Sequence, residues 1–216
     1  MSIKLTGDQY IRLDGKLAEI KRQMRQPEGY PFDPEKLSDF LQQAIEGRFN
    51  DNQKWTEQDG IITFILPATD GTTGEQWIKR TEKKGNRIGY NAMHLLLSKV
   101  FKPTTGVVYT VKVLKGELFS DSDRVTKNIR VKAMKMKLGE LNAEAACLIR
   151  ENFTDEDLKT MGLFWIVVMH EPIKDSDDEL RSLGVCRGSN GRYLGSCSGS
   201  YGCRWNPDDG FAFSVA

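Results

Sequence analysis

Four cysteines and two histidines are the side chains of this 216-residue chain best suited to nucleophilic or metal chemistry. Cys186, Cys197 and Cys203 with His170 have the atoms for zinc, but the spacings C-x10-C and C-x5-C are not the close pairs that zinc sites use. Asp175, Asp177 and Asp178 offer oxygens for calcium without the glycine and distal Glu of a calcium loop, and read as a solvated turn. No Ser/His/Asp order, paired-carboxylate pattern or phosphate loop is present, since the glycines of 188–195 do not open a helix. His94 sits in a helical stripe beside Leu95, Leu96 and Leu97, and His170 follows an apolar run. The reading is a protein with no catalytic residue, no metal and no cofactor.

Recognition chemistry is better represented. From residue 181 onward there is no Lys, Glu, Gln or Met, although these supply 18, 14, 8 and 7 of the first 180 residues. The stretch 187–209 is instead Gly, Ser, Cys, Tyr, Asn, Asp and Arg with single Leu, Trp and Pro residues. Tyr193 and Tyr201 interleaved with Ser, Gly and Asn have the composition of an antibody-like paratope, in which Tyr supplies wide contact area with few rotors to freeze. Arg187, Ser189, Asn190, Tyr193, Ser196, Cys197, Ser198, Ser200, Tyr201, Cys203, Asn206, Asp208 and Asp209 are the candidate contacts. The missing residue types are those that free substitution at the first two positions of an AAC codon never yields, so adenine-directed diversification would leave this signature. A Gly/Ser-rich loop would share part of it.

The elements that must hold this stretch are legible around it. Leu183 and Val185 precede it, and Phe211, Phe213 and Val215 alternate onto one face after it, which predicts a strand tied into a sheet. Upstream, Tyr10, Leu13, Leu17, Ile20 and Met24 form one helical stripe. After the break at Gly29-Tyr30-Pro31-Phe32, Asp33 offers an N-cap, and Leu37, Phe40, Leu41, Ala44 and Ile45 form a second stripe ending at Gly47. Residues 1–50 read as a helical hairpin, 51–60 as a polar linker and 61–216 as an α+β domain. Within it the pattern predicts strands at 61–66, 107–114 and 163–169. Helices are predicted after Thr73, at 91–101, 124–137 and 142–152, and after Thr154 up to Gly162.

Two motifs carry a resemblance. The block Gly191-Arg192-Tyr193-Leu194 … Arg204-Trp205 … Gly210-Phe211-Ala212-Phe213 is similar to the "GRWL…RW…GFAF" ending of proteins diversified by diversity-generating retroelements, with Tyr193 where that pattern has Trp. The run from Met169 through Glu171-Pro172-Ile173 to Asp177 resembles the segment preceding such regions. The resemblance implies a C-type-lectin-like domain of the formylglycine-generating-enzyme variety from about residue 105, with a hypervariable region at about 181–209. It implies a non-enzymatic surface for a macromolecular ligand, most simply a protein. Trp165, Trp205, Phe211 and Phe213 would hold the scaffold. Lectin activity itself is not implied, because Glu171-Pro172-Ile173 lacks the Asn of a sugar-binding motif and Pro207 follows Trp205-Asn206 where an acid belongs.

Charge supplies a rival reading. The net charge of +1 conceals −2 over residues 1–60, +8 over 61–140 and −5 over 141–216. Arg124, Lys127, Arg130, Lys132, Lys135 and Lys137 lie on a helix whose Val125, Ile129, Ala133 and Met136 would face the core. With Lys79, Arg80, Lys83, Lys84 and Arg87 they would make a polyanion-binding face, as in a nucleic-acid-associated regulatory module. A hydrophobic content of 39% with 28% charged residues excludes collagen-like and wholly disordered classes. No apolar run is long enough to span a bilayer and no secretory signal is evident at the start, so a reducing cytoplasmic location is the default expectation.

Overall fold

A computed structural model describes residues 6–25, 34–45, 54–188 and 191–215. The chain divides into two compact units, Met1–Gln53 and Lys54–Ala216.

In the first unit the stripe from Tyr10 to Met24 lies on helix α1 (Gly7–Met24). Helix α2 (Pro34–Ile45) opens on Pro34, where the missing amide hydrogen leaves no bond unmade. Asp33, the break at 29–32, Gly47 and residues 51–53 lie outside the described residues.

The second unit begins with a correction. Residues 56–58, read as part of a polar linker, form strand β1 (Thr56–Gln58), antiparallel to β2 (Ile61–Ile65). Asp59 and Gly60 turn the chain with φ of 52° and 73°, the two-residue Asp-Gly hairpin in which both central residues need left-handed backbone. The signal was hidden because β1 is exposed along its length and carries no apolar side chain.

The other elements are α3 (Gly74–Lys83), β3 (Arg87–Ile88), α4 (Tyr90–Leu97), β4 (Thr110–Lys115), α5 (Thr126–Lys135), β5 (Leu138–Gly139), α6 (Ala145–Asn152), α7 (Asp155–Thr160), β6 (Trp165–Val168), β7 (Ile173–Lys174), β8 (Leu180–Cys186), β9 (Tyr193–Ser198) and β10 (Asp209–Val215). Capping boxes start two helices as their sequence spacing requires: Thr73 with Gln76 on α3, and Thr154 with Asp157 on α7. Gly162, with φ of 73°, marks the turn that follows α7. Helix α4 stops four residues before the predicted end at 101, because the Ser98 hydroxyl accepts from the Val100 amide and offers the backbone an alternative to the helical bond.

The strands form one mixed sheet in the order β1-β2-β4-β10-β6-β8-β9-β3, with β5 on β10 and β7 on β8. The fold is α+β. Strand β10 lies at the centre of the sheet, antiparallel to β4 and parallel to β6. The predicted alternation is real: Phe211 and Phe213 enter one apolar cluster and Ala212 enters the other. The first cluster covers one face of the sheet with Trp77 of α3, Leu95 and Leu96 of α4, and Cys147, Leu148 and Ile149 of α6. The second covers the opposite face with Phe119, Leu138, and Ile129 and Ala133 of α5. Helices α3 and α5 therefore pack on opposite faces, and their basic side chains do not share a surface.

Candidate binding surface

Strand β9 and the loop to β10 carry most of the candidate contacts, and each is positioned by backbone. Strand β9 pairs with β8 over six residues, from Tyr193 opposite Cys186 to Ser198 opposite Arg181. Alternation places Leu194 in the first cluster, under α3, α4 and α6, and Cys197 against the second, on the side of α5. On the latter side two glycines face each other, Gly184 and Gly195. A Cβ on Gly184 would collide with Nε1 of Trp165 and lie 2.7 Å from the Ile166 carbonyl. One on Gly195 would lie 2.8 Å from the Tyr193 ring and 3.2 Å from the Trp165 ring. Gly89 likewise leaves the room that the Tyr193 hydroxyl occupies. Trp165 and Tyr193, both half-buried, thus lie against a floor that only glycine provides.

From the end of β9 the chain crosses to the start of β10 over the N-terminus of α5. The first amides of a helix have no partner within it. Here the amide of Lys127 donates to the Tyr201 carbonyl at 3.0 Å and that of Thr126 donates to the Cys203 carbonyl at 3.1 Å. The Trp205 amide donates back to the Arg124 carbonyl at 3.1 Å, and Gly199 donates to Leu180 at 2.7 Å. The bonds at Tyr201, Cys203 and Trp205 do not depend on which side chain the loop residue bears, whereas Gly199 must stay small, because a Cβ there would stand 2.7 Å from Pro172.

Two side chains complete the frame. Trp205 donates from Nε1 to the Thr126 hydroxyl at 3.0 Å and meets Phe211 edge-on at 5.5 Å between ring centres. Asp209, one of the expected contacts, is buried instead: its carboxylate accepts from the Asn206 amide at 2.8 Å and closes the turn into β10. Burial pushes its carboxyl pKa above the ordinary value. Gly116 lies beneath that turn, 2.9 Å from the Asp209 and Pro207 carbonyls at the point where a Cβ would stand.

The remaining candidates divide by exposure. Ser200, Tyr201, Asn206 and Asp208 are exposed. Ser196, Ser198, Cys197 and Cys203 are half-buried, with the Cys197 thiol donating to the Ser182 carbonyl at 3.4 Å and pushed up in pKa by burial. Arg187 is partly engaged, donating from Nε to the Leu163 carbonyl at 2.7 Å with its guanidinium 5.7 Å from the centre of the exposed Phe164 ring. Ser189 and Asn190 lie outside the described residues. Of the scaffold residues, Phe211 and Phe213 are buried, and Trp165 and Trp205 pack beside them.

The basic helix is less available than its sequence suggests. Arg124 is buried, donating to the Gly116 and Phe119 carbonyls at 2.9 and 2.8 Å and pairing with Asp121. Arg130 pairs with Glu140 and donates to the His170 carbonyl, while Lys132 reaches the Leu118 carbonyl and the Phe119 ring. Lys127, Lys135 and Lys137 are exposed. On α3, Arg80 pairs with Asp70 and Glu151, and Lys84 with Glu151.

The titratable groups considered for catalysis or metal binding are held in the frame. His170 is buried, its Nε2 accepting from the Leu183 amide at 2.8 Å and its Nδ1 bonded to the Glu171 carbonyl at 2.6 Å; burial lowers its pKa to about 4. His94 meets the ring of Tyr90 at 4.5 Å. The Asp175 carboxylate accepts from the amides of Asp177 and Glu179 and from Arg181, which organises the 175–179 turn. Among the described residues no group of three or more His, Cys, Asp or Glu side chains is placed to hold a metal ion, and no helix is long and apolar enough to cross a membrane.

The residues that sequence reasoning missed are Gly89, Gly116, Gly184 and Gly195, with Thr126 in the bed of the loop; Arg124, read as a polyanion contact, is buried in that bed instead. Glycines inside strand patterns were the available signal for Gly184 and Gly195. No known protein family, curated protein or solved structure matches the chain.

Proposed function

We propose that this chain is a non-enzymatic binding protein of the kind diversified by retroelements, with a C-type-lectin-like second unit whose C-terminal surface takes a macromolecular ligand, most simply a protein. Ser200, Tyr201, Cys203, Asn206 and Asp208, with Cys197 and Ser198 at the end of β9 and Arg187 and Tyr193 at the margin, form the variable surface; Ser196 lies on the other face of β9. One observation carries the reading: the loop over α5 is fixed through backbone amides and carbonyls and through Trp205 and Asp209, so its other side chains are free to change. A central β10, with α3, α4 and α6 on one face of the sheet and α5 on the other, supports the C-type-lectin-like assignment.

The test has two arms. Beside the gene, a near-copy of its 3′ end differing at adenines, with a reverse transcriptase, is expected; absence of both removes the retroelement reading. In a library randomised at Ser198, Ser200, Tyr201, Cys203, Asn206 and Asp208, most members should fold and some should select a protein ligand. Loss of folding across that library would exclude a variable surface here.

A further inference from the structure

Helix α1 carries a regular apolar stripe. Tyr10, Leu13, Leu17, Ile20 and Met24 step by three, four, three and four, the spacing of a coiled-coil seam, with Ile11 and Ala18 beside it. Tyr10, Leu13, Leu17 and Met24 are 64%, 47%, 44% and 53% exposed, so the described residues of the first unit leave the seam largely uncovered. An isolated helix of 18 residues is marginal in water, and Gly15 on the outer side weakens it by about 1 kcal/mol. Such a helix needs a partner of matching shape.

The flanking charges say which partner. With Tyr10, Leu17 and Met24 at position a and Leu13 and Ile20 at d, Asp14 and Lys21 fall at e and Lys16 at g. Glu19 and Arg22 point outward at c and f and satisfy each other through two hydrogen bonds of 2.8 and 2.7 Å. Asp14, Lys16 and Lys21 have no ion pair among the described residues. A parallel pair of these helices sets Lys16 at g against Lys21 at e of the other copy, a repulsion. An antiparallel pair sets e against e, bringing Asp14 to Lys21 twice by symmetry.

We propose that α1 pairs with α1 of a second copy of this chain as a two-stranded antiparallel coiled coil, with Tyr10, Leu13, Leu17, Ile20 and Met24 as its seam and Asp14–Lys21 as its orienting charge pairs. The assignment does not depend on what the second unit binds.

Light scattering of the full chain coupled to gel filtration should give twice the chain mass, and L13K/L17K should give the single mass with the thermal transition of the second unit unchanged. Charge reversal tests orientation without touching the seam. K21D should weaken dimerisation about tenfold, because two attractive pairs become repulsive, and D14K/K21D should restore it. A chain monomeric at about 100 µM, well above ordinary dimer dissociation constants, overturns the proposal. So does a dimer indifferent to L13K/L17K, or one that K21D tightens, which is the parallel result.

Discussion

The carbonyl of Tyr201 caps the amide of Lys127 at 3.0 Å while the Tyr201 side chain itself stays exposed. The same residue serves the frame through its backbone and solvent through its ring. Its side chain should therefore be replaceable at little cost. Tyr201→Ala and Ser200→Ala are expected to change unfolding free energy by no more than about 0.5 kcal/mol. Trp205→Ala, which removes the bond to Thr126 and the contact with Phe211, should cost about 3 kcal/mol. Chemical denaturation of the three variants checks this, and a Tyr201 cost matching that of Trp205 would refute the division.

The glycine floor makes a steric prediction. Gly184→Ala drives a methyl into the Trp165 indole and against the Ile166 carbonyl, so it should destabilise by about 2–3 kcal/mol. Gly195→Ala meets the Tyr193 ring, which can shift, and should cost less. Melting temperatures of the pair in parallel test the order.

His170 predicts an acid dependence of stability. Burial holds its folded pKa at about 4 against an ordinary 6.5, so the unfolded chain takes up the proton first as pH falls. The His170 contribution is complete above pH 6.5 and is lost as pH drops from 6.5 towards 4, with a slope approaching 1.4 kcal/mol per pH unit, roughly one proton. His170→Gln should lower stability at neutral pH and flatten that slope. Unfolding measured between pH 4 and 7 would show an unchanged slope if the imidazole were exposed.

Arg124 and its neighbours separate structure from polyanion binding. Arg124→Ala strands the Phe119 carbonyl and removes one of the two bonds to the Gly116 carbonyl, and should cost about 3 kcal/mol. Lys127→Glu, Lys135→Glu and Lys137→Glu together should leave folding within about 1 kcal/mol of the parent. If that triple variant also abolished a salt-sensitive retention of the parent on DNA, the nucleic-acid reading would displace the protein-binding one.

How much the sequence disclosed depended on whether the signal was local. Thr73 and Thr154 announced their helices because a capping box is complete within four residues. Phe211 and Phe213 announced a strand by alternation, but its central place could not be read, since that follows from pairing with β4 and β6 far away in the chain. Arg124 and Asp209 looked like surface charges; their hydrogen-bond partners lie within eight residues, but their burial comes with the seating of β10 and of the loop on α5, whose pairings lie far away in the chain. Thr56–Gln58 was lost for the opposite reason, because an edge strand with no buried residue leaves no hydrophobic trace.

The placing of β10 between β4 and β6 has a consequence for biosynthesis. Until residues 209–215 leave the ribosome, the two halves of the sheet face an empty slot and neither apolar layer can close. The segment that fills this slot is made directly after the loop that crosses α5. A loop that could not cross α5 would therefore keep β10 from its slot and leave the sheet open for proteolysis.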